Sequence, residues 1–446
     1  MILKQIVKNQ EFRKYFKNTS WLMSEKVLRL ILGLAVGVYV ARYLGPEQFG
    51  LLSYTLSIVT LFATMDHLGL DGLTVRELVQ KPEQMAGILG TVVVLKSIAS
   101  VLAISAIVLF AFSTEQLNSV EFWMLLVASG AILFRPLNVI EFWFESNVLG
   151  RLTSIAKSVS LTLVAIFKVL LVITGAQVLL FALAFTIETT LIGLIFILFY
   201  TRQSKISLSH WRFEFPRAKY LLSQSWLIMF GAIFGIIYLK VDQVMLMWLS
   251  GKEQVGVYAV AAQLSEVWFF VPVAIVASLF PKLIMLKDTN LQQYQLRLQQ
   301  IFDLLFLLAF VLAIATTFLA DPIIAILYGQ EFERAASILK IHVWGSIFIF
   351  MRALFSRWIH IERVLIFSFI SQGTGALSNV ALNLMFIPSY GAEGAAVATL
   401  ISYAAASYLS LVAYDRTRPV FWMMSKSLFL PFRWIAIKRA LPTVPK

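Results

Sequence analysis

The chain has 446 residues, of which 59% are hydrophobic and only 14% charged, and its formal net charge is +13. A soluble domain is about 45–50% apolar and about 25% charged, so a water-soluble fold could not hide this much apolar surface. With no cysteine, disulfides, thiol chemistry and Cys-based metal sites are excluded.

The first 20 residues are polar and basic, without the apolar core and small-residue cleavage site of a removable signal peptide. Apolar windows then predict six spans, over 21–44, 50–72, 87–112, 122–144, 154–174 and 178–200. One span needs about 20 apolar residues, and lipid cannot satisfy an open backbone, so each is predicted as a continuous helix. A basic break at 201–220 follows, with Arg202, Lys205, Arg212, Arg217 and Lys219. Six more spans are predicted over 221–249, 256–281, 301–320, 338–358, 364–388 and 395–414. The fold class is thus all-α integral membrane, with about twelve helices in two six-helix lobes. The lobes are 1–200 and 221–414, joined by a cytoplasmic linker at 201–220 and followed by a basic cytoplasmic tail at 415–446.

Twelve spans alternate the turns between two sides, and most of the 37 Lys and Arg fall on one of them. The opposite turns hold only Lys252 and Arg334. This asymmetry predicts both termini in the cytoplasm, with the chain multi-pass in the cytoplasmic (inner) membrane. The charge therefore points to membrane lipids rather than nucleic acid. The tail places Arg416, Arg418, Lys426, Arg433, Lys438 and Arg439 among Phe, Trp and Met. It reads either as an interfacial amphipathic segment on an anionic leaflet or as a plain stop-transfer tail.

The halves resemble each other. Gly45-Pro46-Glu47-Gln48-Phe49-Gly50 follows the first span, and Gly251-Lys252-Glu253-Gln254-Val255-Gly256 follows the seventh. Ser20-Trp21 opens one half and Ser225-Trp226 the other. Six spans separate the copies, an even number. A duplication would therefore relate the lobes by a pseudo-two-fold axis along the membrane normal.

Ionisable groups within spans are costly, and they face a bundle interior or a wet cavity. Glu25, Arg29, Gly33 and Gly37 share one face of the first span, with Lys26 beside it. Ser57, Thr60, Thr64, His67 and Asp71 form a polar stripe along the second, with Asp66 off it. Lys96 and Lys168 stand in the third and fifth spans, and Arg135, Asn138, Glu141 and Glu145 share a face of the fourth. Lys240 and Asp242 sit near an end of the seventh, where either could snorkel to the surface. Gln372, Asn379 and Asn383 make a neutral stripe in the eleventh. The candidate substrate cavity is therefore lined by Lys26, Arg29, His67, Asp71, Lys96, Arg135 and Lys168, a basic set suited to a pyrophosphate. Structural pairing with Glu141, Asp71 or Glu188 is the alternative. Asp66, Glu188, Glu266 and Asp303 are the candidates for ion coupling.

There is no Walker loop or Gly-rich nucleotide motif. His67, His210, His342 and His360 are scattered without ligand spacing. The sequence thus predicts no cofactor, no metal and no catalytic group: a transporter, not an enzyme. The stretch Ala41-Arg42-Tyr43-Leu44-Gly45-Pro46-Glu47-Gln48-Phe49-Gly50, then Tyr54, resembles the start of Wzx-type polysaccharide flippases. Leu68-Gly69-Leu70 with Arg76-Glu77, Leu327-Tyr328-Gly329 with Phe332 and Ala335-Ala336, and the run Gly391-Ala392-Glu393-Gly394-Ala395-Ala396-Val397-Ala398-Thr399 extend the likeness over essentially the whole chain.

That family belongs to the multidrug/oligosaccharidyl-lipid/polysaccharide exporter superfamily. The resemblance implies two lobes around a central cavity, alternating access, and a substrate of undecaprenyl pyrophosphate bearing an oligosaccharide repeat unit. Such a substrate serves surface polysaccharide (O-antigen or exopolysaccharide) biosynthesis, with other assembly proteins as partners. It carries over no catalytic residues. Two alternatives remain at this stage: an ion-coupled multidrug exporter of the same superfamily, which the basic first half disfavours, and a membrane glycosyltransferase or polymerase, which the short outer turns disfavour.

Overall fold

The computed structural model describes residues 10–430 except 118, 363 and 365, with side chains from residue 17 onward. Among the described residues there are helices and turns but no strand. The first part of the chain forms α1 (Gln10–Ala63), α2 (Asp71–Gln80), α3 (Met85–Thr114), α4 (Val120–Phe134), α5 (Val139–Ser146), α6 (Gly150–Ile173), α7 (Val178–Gln203) and α8 (Phe215–Ser250). Then come α9 (Lys252–Glu266), α10 (Phe270–Thr289), α11 (Leu291–Leu327), α12 (Ala335–His342), α13 (Ser346–Ile361), α14 (Ile366–Ser407) and α15 (Arg418–Leu428).

Among the described residues, ten helical stretches are long and apolar enough to cross a membrane. Two of them, Lys17–Gln80 with 64 residues and Ile366–Ala413 with 48, are too long for a single crossing of about 20 residues. Each folds at a glycine whose backbone is not helical, Gly45 (φ 69°, ψ 174°) and Gly391 (φ 55°, ψ −131°). Two spans in each of these and one in each of the other eight make twelve, as the sequence predicts. Gly251 repeats the Gly45 conformation, with φ 88° and ψ 171°, so both copies of the duplicated hexapeptide begin on the same backbone turn. A Cβ at Gly251 would meet nothing within 4 Å. The glycine is required by its positive φ alone, a region closed to side-chain-bearing residues. Gly251→Ala is accordingly expected to cost about 1–3 kcal/mol, read as a lower melting temperature in detergent; an unchanged melting curve would refute this.

Two predicted continuous helices are broken. α1 ends at Ala63, residues Thr64–His67 form a 3-10 turn, Leu68 and Gly69 take positive φ, and α2 begins only at Asp71. The predicted stripe from Ser57 to Asp71 is therefore cut before its last member. The cause is tertiary: α8 crosses here, and a Cβ on Gly69 would stand 2.6 Å from the Ser225 carbonyl oxygen. In the fourth span Pro136 has no N–H to give. Arg135–Asn138 tighten into a 3-10 turn between α4 and α5, so Arg135, Asn138, Glu141 and Glu145 do not share one regular helix face.

The chain divides into two compact units between Ile236 and Ile237, within α8. The basic break that the sequence marks as a linker is strapped to the first unit. The Arg212 amide donates to the Ala86 carbonyl (3.3 Å), the Glu214 amide to Thr91 Oγ1 (3.0 Å), and Trp211 Nε1 to the Tyr200 hydroxyl (3.0 Å). Gly90 allows this approach, since a Cβ there would lie 2.4 Å from the Arg212 nitrogen. A hydrogen bond from Arg217 holds the half-buried Glu214 carboxyl below its ordinary range.

In the first unit Ile88, Trp143, Phe144, Phe196 and Tyr200 pack into one core. In the second, Phe302, Phe350, Phe355 and Phe367 lie at the centre of another. Ile31, Leu109, Phe318, Ile326 and Leu377 are exposed, an apolar exterior that lipid would cover. Of the tail, α15 is amphipathic: Val420 and Met424 are buried in the second core, while Trp422 and Lys426 face outward. Arg433, Lys438 and Arg439 lie outside the described residues.

Candidate functional site

The residues predicted to line a cavity fall, among the described residues of the first unit, chiefly into three ionic groups. The deepest joins the two broken spans. Asp66, in the 3-10 turn after α1, is 1% exposed. It accepts two hydrogen bonds from Arg135, Nε at 2.7 Å and NH2 at 3.1 Å. The partner of Arg135 is thus Asp66, not Glu141 on its own span. The Pro136 break turns Arg135 away from the course of a regular helix. Glu141 instead accepts from Lys157 of α6 at 2.5 Å, with Glu145 within electrostatic reach.

The second group surrounds Asp71 at the start of α2. His67 Nε2 lies 3.0 Å from its Oδ2 and Lys96 Nζ 3.5 Å from its Oδ1. Lys96 is only 4% exposed and also rests over the Phe142 ring, 5.4 Å from its centroid. Lys96 is therefore a paired, packed cation rather than a bare one facing water.

The third group ties α1 to α7. Arg29 Nε donates to Glu25 Oε1 at 2.9 Å and its NH1 to Glu188 Oε1 at 3.1 Å. The Arg29 side chain is 41% exposed, while Glu25 and Glu188 are largely covered. Lys168 on α6 makes no ion pair among the described residues, and the charge acting on it is Glu188. Lys26 is exposed and outside this group.

Taken together, Arg29, Lys96, Arg135, Lys157 and Lys168 stand among Glu25, Asp66, Asp71, Glu141, Glu145 and Glu188. Of the cations predicted to line the cavity, Arg29, Lys96 and Arg135 are ion-paired in this conformation, while Lys168 makes no ion pair among the described residues. An incoming anion must compete for the paired cations.

The second unit holds a cluster that sequence reasoning missed. Asp242, on α8, is 1% exposed and does not snorkel. Its carboxylate accepts from Tyr258 Oη at 2.7 Å, Asn383 Nδ2 at 2.6 Å and Thr399 Oγ1 at 2.7 Å. It has no ion pair within 4 Å among the described residues; the neighbouring Lys240 pairs with Glu266 at 3.7 Å. Asn379 and Asn383 are fully buried and bonded to each other, with Asn379 Nδ2 and Asn383 Oδ1 left without partners. His342, also buried, stands edge-on to Tyr258 and Tyr403, with neither ring nitrogen bonded among the described residues. Of the ion-coupling candidates, Asp66, Glu188 and Glu266 are each paired with a cation, and Asp303 accepts from Gln299 and Ser427 at 2.8 and 2.6 Å.

The architecture is that of known exporters. The chain superposes on the lipid II flippase MurJ in an inward closed conformation with a TM-score of 0.68, covering 97% of this chain and 94% of that one at 16% identity. An inward-facing multidrug resistance MATE family transporter of the MOP superfamily gives a TM-score of 0.70, with 90% and 96% covered at 13% identity. The molecule is therefore an all-helical, multi-pass membrane protein with the fold of MOP-superfamily transporters. In sequence it is 24% identical over 383 residues to a probable low-salt glycan biosynthesis flippase of Haloferax volcanii, across 82% of this chain and 76% of that protein. A second probable flippase of that organism is 26% identical over 221 residues, across 48% and 43%. The family model described as polysaccharide biosynthesis protein matches residues 15–287, more than half the chain, and the chain belongs to that family. The relatives it resembles are named as probable flippases and the solved structures as a flippase and a transporter.

Proposed function

We propose that this protein is a flippase that carries a lipid-linked oligosaccharide across the cytoplasmic membrane, with both its termini in the cytoplasm. The cargo is an undecaprenyl-pyrophosphate-linked repeat unit for surface polysaccharide such as O-antigen or exopolysaccharide. Family membership, supported by the glycan flippase relatives, carries this assignment. The chemistry agrees: a half-exposed arginine on α1 offers planar donors to a phosphate, Lys168 shares the influence of its partner Glu188, and the apolar exterior leaves the polyprenyl tail in lipid. The head group is held by Arg29 and Lys168 of the first unit, with the Arg135 and Lys96 groups as further polar lining.

A coupling ion is held in the second unit. Asp242 supplies one buried negative charge, and Asn379, Asn383 and Thr399 supply neutral oxygens. Asn383 Oδ1, which has no partner among the described residues, is one such ligand, and Asn379 Oδ1 becomes another when it gives up its bond from Asn383 Nδ2. An all-oxygen set with one carboxylate suits a hard monovalent cation.

The deciding experiment is transport by the purified protein in proteoliposomes. A fluorescent lipid-linked oligosaccharide, initially on one leaflet, is followed by its accessibility to an impermeant glycosidase. Protein-dependent loss of protection is expected. Protection equal to that of protein-free vesicles, with the protein folded, overturns the assignment. Efflux of small cationic dyes without glycan flipping would make it a drug exporter instead.

A further inference from the structure

The Arg29 group contains a contradiction when read as a simple anion site. Its most exposed cation is already bonded to two carboxylates, and its least exposed one has no ion pair. Arg29 uses two of its five N–H donors, one on Glu25 and one on Glu188. The other donors and its 41% exposure leave it open to an approaching anion. Lys168, on α6, is under the influence of the same Glu188. One carboxylate thus acts on two cations and is bonded to only one of them.

We propose that Glu188 is a switch carboxylate: it occupies Arg29 while no substrate is bound, and turns to Lys168 when the substrate's phosphate takes its place on Arg29. This rests on the flippase assignment above. The exchange is balanced without a proton. The Arg29–Glu188 ion pair breaks, Arg29–phosphate and Lys168–Glu188 pairs form, and no charge is stranded. A buried carboxylate left without a cation would oppose binding strongly; Lys168 removes that penalty. The phosphate gains the exchange because its oxygens accept in the same fork geometry and carry more charge than a carboxylate.

Among the described residues, the cations found to interact with Glu188 are Arg29 and Lys168. α1 brings Arg29 and Glu25, and α6 brings Lys168. The only ionisable residue of α4 is Glu121, in its first turn. Arg135, in the turn after α4, is bonded to Asp66, and the α5 carboxylate Glu141 to Lys157. Since Glu188 leaves α1 for α6 on binding, the switch also releases one of the bonds that hold α1 to α7. Glu188 and Lys168 are positioning residues for the head group; Arg29 is the one that touches it.

The test is a thermodynamic cycle on the full-length protein in detergent, with farnesyl pyrophosphate as the probe. Binding is measured above pH 7.5, so that the probe's own ionisation stays constant, and melting temperature is followed for every variant. Lys168→Met is expected to weaken binding about tenfold or more, Glu188→Gln to tighten it, and Lys168→Met with Glu188→Gln to recover at least the wild-type affinity. Lys168→Arg should bind as wild type. Wild-type affinity in Lys168→Met, or no recovery in the double variant, overturns the switch. Weaker binding in a folded Glu188→Gln does so too. If a variant melts early, proton uptake on binding decides. The wild type should take up none, and one proton per probe bound would mean that Glu188 is discharged by protonation and not by Lys168. Failure of the folded wild type to bind any isoprenyl pyrophosphate would instead sink the parent assignment, a result read from the wild type alone.

Discussion

Arg135→Ala is expected to destabilise the protein by about 3–5 kcal/mol, because it leaves a carboxylate in the interior with nothing to balance it. Asp66 is 1% exposed and takes both of its hydrogen bonds from the Arg135 guanidinium. The arginine itself is 32% exposed, so its own loss exposes little new apolar surface and leaves little cavity. The penalty lies almost wholly on the aspartate. Asp66→Asn added to Arg135→Ala should therefore return most of the stability, and Asp66→Asn alone should cost less than Arg135→Ala. Melting temperature in detergent and abundance in the membrane measure both. The pair joins the 3-10 turn after α1 to the turn after α4, so its loss should also loosen the seat of α2. If Arg135→Ala instead melts like the wild type and only glycan export stops, Arg135 acts on the substrate and Asp66 finds another partner.

How far the sequence carried can be judged from these same residues. The twelve spans were legible because apolar length is a direct physical requirement of the bilayer. The Gly45 and Gly251 turns were legible because only glycine tolerates that backbone, so it recurs in both halves. The break at Pro136 was also available from the sequence, since proline removes a helical hydrogen bond, yet the span was predicted unbroken and the charges on it were aligned on a false face. The break at Gly69 was not available. It answers to α8, more than 150 residues away, and nothing local announces such a crossing. The same holds for partners. Helical periodicity found Glu25 with Arg29, four residues apart, but Asp66 with Arg135 and Arg29 with Glu188 are separated by 69 and 159 residues. The pairing alternative had Asp71 and Glu188 in view and Lys96 does meet Asp71, but Asp66 as the partner of Arg135 was not foreseen.

Asp242 illustrates the same limit and gives the second large effect. Its position in a span was seen, and so was the Asn379/Asn383 stripe, but the 141 residues between Asp242 and Asn383 kept them apart. Together they enclose a buried negative charge with three hydroxyl or amide donors and no ion-paired cation among the described residues. Such a charge is costly unless it is paired or coordinates a metal. A bound monovalent cation would stabilise the fold by about 2.7 kcal/mol when present at 100 times its dissociation constant. Replacing choline by sodium at constant ionic strength should therefore raise the melting temperature of the wild-type protein by several degrees. Asp242→Asn should abolish that rise, because a neutral amide offers the ion no charge. It should also leave the sodium-free protein as stable as wild type or more so, since it no longer buries an uncompensated carboxylate. Asn383→Leu keeps the charge but removes a neutral ligand, and should weaken the sodium response without erasing it. Screening cannot mimic this pattern, because surface charges respond to ionic strength alone and not to which cation supplies it. A sodium rise that persists in Asp242→Asn would place the ion elsewhere in the molecule. Stability that tracks pH and ignores sodium would make Asp242 a proton carrier, with His342, buried beside Tyr258 and without a hydrogen-bond partner, as the next group to replace.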